Sequence, residues 1–350
     1  MSLFFIGSTY KMQTILNFRH LIIVISIILI ACSAPKEQET HITGPTMGTT
    51  YNVKFVSVDG IDEQKLKQQI EQTLIDINQL MSTYIPDSEL SRFNQWRSVE
   101  PFPMSVQTLK VLNEAKRLGV MSAGLLDVTV GPLVNLWGFG PQSRPVKIPT
   151  DELINNTKQQ IGLDKLIIGE TWASKTQVTL YVDLSTIAKG YAVDQLAELL
   201  AASNITNYLV EIGGEMRLAG IKASGIPWKI AIEKPETEQR SIQKIISIGT
   251  NAVATSGDYR NYYETDGVRY SHLINPNTGY PIHHNLVSVT VIHPSSMTAD
   301  GLATALSVMG KEKALELADT YNIAVLLITK EKDGYNEYTS AKFDQFVTVH

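Results

Sequence analysis

An α+β fold, with mixed sheets and packed helices, is the class that this 350-residue sequence predicts. Three observations point to it. Apolar runs of strand length, such as "NYLVEIGGE" and "VTVIH", stand among longer segments with a helical period. Strand–helix–strand units mix with hairpins such as "RNYYETDGVRYSHL", whose Asp266-Gly267 pair suits a tight primed turn. That mixture argues against a purely parallel sheet. The composition, 43% hydrophobic and 19% charged, is ordinary for a globular chain long enough to bury a large core.

The elements follow in order. "TTYNVKFVSV", 49–58, alternates as a strand. Residues 62–84 place Leu66, Ile70, Leu74, Ile77 and Met81 at helical spacing. Ser105 is positioned to cap a second helix that runs through Leu118 and ends at Gly119. "GPLVNLWGFGPQSRP", 131–145, is rich in Gly and Pro and reads as loop. "VTLYVDL", 178–184, reads as a strand entering a helix from about Ile187 to Ala202, and 207–215 as a strand ending in a glycine pair. Further strands are expected at 228–233, 242–248, 286–292 and 323–329, with helices at 299–309 and 311–320. No internal repeat and no linker divides the region, so 45–350 is read as one domain.

The N-terminus has a different character. Lys11 and Arg19 precede the apolar run "LIIVISIILIA", 21–31, and then Cys32. A basic flank, a run too short for a comfortable membrane span and small residues make a secretory signal over 1–31. "LIAC", 29–32, has the form of a bacterial lipobox, with Cys32 as the lipidated residue and Met12 as an alternative start. Residues 32–44, including the polar "SAPKEQET", read as a tether. The expected location is the periplasmic side of a bacterial membrane, anchored by lipid. Cys32 is the only cysteine. An internal disulfide, a thiolate metal site and a cysteine nucleophile are therefore excluded. The net charge of −5, with no dense basic block, excludes nucleic acid as a partner.

Four segments carry candidate chemistry. In "SSMTADGLATALSVMG", 295–310, Thr298 is placed to cap a helix, and Asp300 and Thr304 stand four apart on one face. Two readings stay open. The Asp can answer the helix dipole while the Thr bonds its own backbone, or the pair can offer two oxygen ligands to a hard cation such as Mg²⁺. In "YVDLSTIAKGYAVDQLA", 181–197, Asp183 and a Ser-Thr turn precede a helix start suited to phosphate, with Lys189 nearby. A capped helix with a solvated lysine fits equally. "TSGDYRNYYETDGVRYSHLINPNTGYPIHH", 255–284, gathers Tyr259, Arg260, Tyr262, His272 and Asn275, and His272 could act as a general base. His283 and His284, adjacent on a strand, would face opposite ways and make no metal pair. "EIGGE", 211–215, brings two acids around a glycine pair that permits close approach; its carboxylates read as turn residues.

Seven segments in order, "PTMGTTYNV", "MSTYIPDSELSRFN", "DVTVGPLVNLWGFG", "DLSTIAKGYAVD", "EIGGE", the 255–282 stretch and "VTVIHPSSMTADGLATALSVMG", resemble the ApbE family of FAD:protein FMN transferases. The resemblance implies an ApbE-like, T-fold-related architecture. It also implies Mg²⁺-dependent transfer of FMN from FAD, through a phosphoester, to a Thr or Ser of a target protein, with AMP released. Targets of the family are subunits of ion-pumping or electron-transfer complexes. By position, the resemblance makes Asp300 and Thr304 metal ligands, with Thr186 a third through its main-chain carbonyl. Met47, Tyr84, Leu125, Leu126, Asp127, Asp183, Lys189 and Ile274 become FAD contacts, and His272 the residue acting at the acceptor hydroxyl. The sequence departs from the family at Asn275, often Asp; at Lys189, often Glu; and at Leu125-Leu126, usually smaller or aromatic residues. Two other functions use the same residues: an FAD pyrophosphatase giving FMN and AMP, and a lipid-anchored FAD-binding protein without catalysis.

Overall fold

The computed structural model describes residues 38–140, 148–236, 241–257, 262–265 and 268–346. The signal segment 1–31, Cys32, the tether residues 33–37, Tyr259, Arg260 and the Asp266-Gly267 turn lie outside the described residues. In chain order the elements are β1 (Glu39–Thr46), β2 (Thr49–Val56), α1 (Glu63–Met81), α2 (Glu89–Gln95), β3 (Phe102–Pro103), α3 (Val106–Met121), α4 (Gly131–Leu136) and α5 (Asp151–Lys158). Next come β4 (Leu166–Ile168), β5 (Trp172–Lys175), α6 (Ala188–Ala202), β6 (Tyr208–Ile212), β7 (Glu215–Ala219), β8 (Ile230–Glu233), β9 (Ile242–Ile246) and β10 (Ala252–Gly257). The chain continues through β11 (Tyr262–Thr265), β12 (Val268–Ser271), β13 (Leu286–His293), α7 (Ser296–Met309), α8 (Lys311–Thr320), β14 (Ala324–Glu331) and β15 (Gly334–Thr339).

An antiparallel sheet of eight strands, ordered β1-β2-β6-β7-β10-β13-β14-β15, organises the α+β fold. Its central strands are apolar on both faces. In β14, Val325 and Leu327 join the core shared with the helices, while Ala324, Leu326 and Ile328 pack beneath the β8–β9 ladder with Trp228 and Phe343. On the helical face lie α6 and α7, buried along most of their length. The predicted stripe of α1 is buried as a set, and Asp62 caps that helix by accepting from the Lys65 N–H at 3.0 Å.

Several expectations shift. Residues 39–44, assigned to the tether, belong to β1, an edge strand that buries little beyond Ile42. Residues 178–184 form no ladder, because the Asn94 side chain takes both backbone groups of Val182 at 2.8 Å, and the Asp183 N–H donates to the Val128 carbonyl. The Gly/Pro-rich segment 131–145 begins as α4, with Pro132 in its first turn where no N–H is needed. Ser105 caps α3 as expected, but the helix runs past Gly119 to Met121. A Cβ on Gly119 would stand 2.8 Å from the Leu126 carbonyl, so close packing explains this glycine. Ser295, not Thr298, caps α7, and the Thr298 hydroxyl donates to Glu114 at 2.7 Å. The glycine pair of "EIGGE" is the turn between β6 and β7, both residues at positive φ.

Candidate functional site

The helix start at α6 and the first half of α7 face each other across a cleft of about 380 Å³. Gly190 makes this approach possible: a Cβ there would lie 2.3 Å from the Ser296 carbonyl oxygen and 2.8 Å from the Asp300 Cβ. Its N–H donates to Asp300 Oδ2 at 3.0 Å, joining the two helices. Gly190→Ala is therefore expected to destabilise the protein by about 3 kcal/mol, since the obstacle is backbone and cannot swing aside. Thermal melting checks this, and an unchanged Tm would contradict the close approach.

Asp300 is 6% exposed. Burial, reinforced by nearby Glu215, pushes its carboxyl up to about 8 against the opposing pull of Lys189 and the Gly190 N–H. Glu215, from the start of β7, is also buried, and burial raises it despite its 2.7 Å ion pair with Lys189. Burial opposes the charge on Lys189, yet Asp300 and Glu215 together hold its pKa above the usual lysine range. Two buried carboxylates thus share one ammonium. With both ionised, the group carries a surplus negative charge in a poorly solvated place, a situation that a cation would relieve.

Two buried oxygens there, Thr186 Oγ1 and Glu215 Oε2, lack a hydrogen-bond partner within the protein. Thr186, Thr304 and Asp300 line the same cleft. Carboxylate and hydroxyl oxygens of this kind are hard donors, the type that Mg²⁺ takes. Among the described residues no group of three or more His, Cys, Asp or Glu converges as a metal cluster, so a cation here would depend on hydroxyl, carbonyl and substrate oxygens as well.

The remaining sequence candidates fall largely in this cleft. Leu125, Leu126 and Asp127 supply one wall, and Asp183, Lys189, His272 and Ile274 complete it. Asp127 is 9% exposed and raised by burial, while Thr129 donates both its N–H and its hydroxyl to Asp127 Oδ1. Asp183 Oδ1 accepts from the Ser185 N–H at 2.9 Å, which shapes the turn into α6; neither residue is the side-chain cap expected there, for α6 begins without one. Tyr84 stands 74% exposed at the rim. Met47 is not in the main cleft. It lies at the β1–β2 turn with φ 48° and lines an adjoining cavity of about 460 Å³, which shares Tyr84, Asp183, Ser185 and Lys189 with the cleft.

Two features escaped the sequence reading. Glu215, read as a turn residue, is the buried partner of Lys189. The second is a buried aromatic cluster behind the cleft: Trp137, Tyr263 and Tyr270 stack at centroid spacings of 5.6 and 5.2 Å, and Phe139, which lines the cleft, packs against Tyr263 and edge-on to His272. The density of aromatics in 255–284 was the available signal; their assembly with Trp137 needed the fold.

The sequence model of the ApbE family matches residues 47–327. The chain belongs to that family. An ApbE-family relative from Vibrio cholerae, named FAD:protein FMN transferase, is 54% identical over 330 residues, covering 94% of this chain and 98% of its own. The protein of that name from Escherichia coli K12 is 42% identical, covering 89% of this chain and 92% of its own. The solved flavin transferase ApbE from Vibrio cholerae superposes with a TM-score of 0.83 at 54% identity, over 89% of this chain and all of the other. An ApbE protein from Thermotoga maritima, at 29% identity, gives 0.78 over 88% of this chain and 99% of its own. The expected ApbE-like architecture is thereby borne out, and the chain is an enzyme of the flavin transferase class.

Proposed function

We propose that the cleft binds FAD with a divalent cation, Mg²⁺ in the first instance, and transfers FMN to a Thr or Ser hydroxyl of a target protein. The observation that supports this reading is that Asp300, Thr304, Thr186, Lys189 and His272 line one cleft, where Asp300 is buried beside Glu215 and Thr186 Oγ1 has no hydrogen-bond partner. The acceptor oxygen bonds to the FMN-side phosphorus as the bond from that phosphorus to the bridging oxygen breaks. AMP leaves with the bridging oxygen, and the hydroxyl proton passes to a base, the role this reading gives to His272. A bound Mg²⁺ supplies Lewis-acid neutralisation of the diphosphate charge. Asp300 and Thr304 would hold it from α7 and Thr186 from the α6 entry. Lys189 stays charged beside them, and Phe139 gives the cleft an apolar surface against which a flavin ring could pack.

The test is incubation of purified protein with FAD, Mg²⁺ and a target subunit of an ion-pumping or electron-transfer complex. A mass gain of one FMN on a Thr or Ser, with AMP formed, is expected. No gain would defeat the transferase reading, and free FMN formed equally fast without acceptor would favour pyrophosphatase chemistry. Localisation belongs to the same proposal: the lipobox reading predicts that Cys32→Ser releases the protein from the membrane fraction. Recovery of the variant in membranes at the wild-type level would count against the anchor.

The raised carboxyl of Asp300 adds a pH dependence. Its folded pKa, about 8, stands above the ordinary aspartate value. The cation-free fold therefore holds an extra proton between those two values, and this contribution to stability is lost as the pH rises through about 8. Cation binding needs the ionised form and expels that proton. Stabilisation by Mg²⁺ should accordingly be larger at about pH 8 than at about pH 6 in thermal melts; equal shifts would contradict ligation by Asp300.

A further inference from the structure

The two halves of the proposed cation site sit on different elements, the segment entering α6 and the helix α7, which packs closely on α6, and a polar cluster joins the two helices at the start of α7. On α6, Gly190 and Asp194 stand four apart and share a face. On α7, Ser296, Asp300 and Thr304 repeat at the same interval. The first stripe meets the second. Gly190 is bonded to Asp300, and Asp194, 5% exposed, lies farther along α6 against the first turn of α7. Its Oδ1 accepts from the Ser296 N–H at 2.9 Å; its Oδ2 accepts from the Ser295 hydroxyl at 2.7 Å and the Met297 N–H at 3.1 Å. Arg217, from β7, donates from Nη1 to Asp194 Oδ1 at 2.9 Å. One carboxylate thus occupies the donors that open α7, where the helix dipole favours an anion.

We propose that Asp194, with Arg217 as its counter-charge, is a positioning residue that fixes the distance between Asp300 and Thr304 on one helix and Thr186 on the segment entering the other. The inference rests on the cation reading above. Asp194 touches neither cation nor substrate in this role. It holds α7 in one axial register against α6, so that the oxygens converge before a cation arrives. A helix cap alone would add stability without altering the site; a register device alters affinity as well.

The test is titration of Mn²⁺ into the full-length protein in the presence of FAD, read by electron paramagnetic resonance, with Tm recorded in parallel. Asp194→Asn replaces one acceptor oxygen by an NH2 group that can only donate, and should weaken Mn²⁺ binding by about tenfold, the lower end for groups that orient ligands indirectly. Arg217→Lys keeps the counter-charge and should retain most of the affinity. Ser340→Ala is the control. Its hydroxyl accepts from the Val325 N–H and donates to the Ile323 carbonyl, far from the α6–α7 contact in the sheet order, so its loss should lower Tm without moving affinity. If Asp194→Asn does not fold, Ser295→Ala removes one side-chain donor to the same carboxylate together with the α7 cap, and should show, beside a lower Tm, a smaller loss of affinity in the same direction. Wild-type affinity in the folded variants would overturn the inference and leave the cation reading standing. No Mn²⁺ binding by the wild-type protein would overturn both.

Discussion

Asp300→Ala is expected to abolish flavin transfer while leaving the fold intact. The lost carboxylate is a candidate ligand that combines burial with a charge, and α7 carries no other acidic residue to replace it. Lewis-acid stabilisation of phosphoryl transfer is worth several kcal/mol, so the rate should fall by about a thousandfold or more. Stability should change far less, because two effects oppose each other. The Gly190 N–H loses its acceptor, a cost of about 1–3 kcal/mol for a buried donor. Against this, a buried carboxyl crowded by Glu215 is removed. Asp300→Asn separates charge from shape: its amide oxygen can still accept from Gly190, but the anionic ligand is gone, so it should be as stable as the wild type and nearly as inactive as the alanine variant. Circular dichroism, melting with and without Mg²⁺, and mass spectrometry of the acceptor would be read together. Near-normal turnover in either variant would remove Asp300 from the chemistry.

How much of this was legible in the sequence depends on whether the decisive partner was local. The stripe Leu66–Met81 of α1 could be read because a helix of period 3.6 repeats its own signal, and the geometry that reveals the stripe is the one that buries it. Likewise Asp300 and Thr304 could be paired from their spacing alone. The runs at β13 and β14 could be read as strands, and the structure shows them buried on both faces. Where the partner was remote, reading failed. "VTLYVDL" alternates as a strand does, yet its backbone is claimed by Asn94, a side chain 88 residues away. "ETHITGPT" is too polar to look like part of a core sheet, and as an edge strand it needs little apolar surface. Glu215 read as a turn residue and Lys189 as either a phosphate-side cation or a solvated lysine; only the packing of β7 against α6 makes them a buried pair. The site's chemistry was visible by residue type, whereas its electrostatics arose from three elements that converge only in the fold.

His272→Ala should slow transfer to the acceptor by about 100- to 10,000-fold, the usual contribution of a general base, with FAD and cation binding unchanged. The argument starts from the nucleophile. An alcohol is nearly all protonated at neutral pH and attacks poorly unless its proton is taken as the bond forms. His272 follows directly on β12 and lines the cleft that holds Asp300 and Thr304, with Phe139 edge-on to its ring at 6.3 Å. A base of this kind gives the rate a pH dependence, and that dependence should disappear in the variant. Added imidazole should restore part of the rate, since the alanine leaves a ring-sized space at the cleft wall. Loss of FAD affinity would instead mark His272 as a binding residue. Transfer at the wild-type rate under saturating acceptor would show that the proton leaves by another route, and the base would then have to be sought among Asp127, Asp183 and Glu215, the other carboxylates lining the cleft.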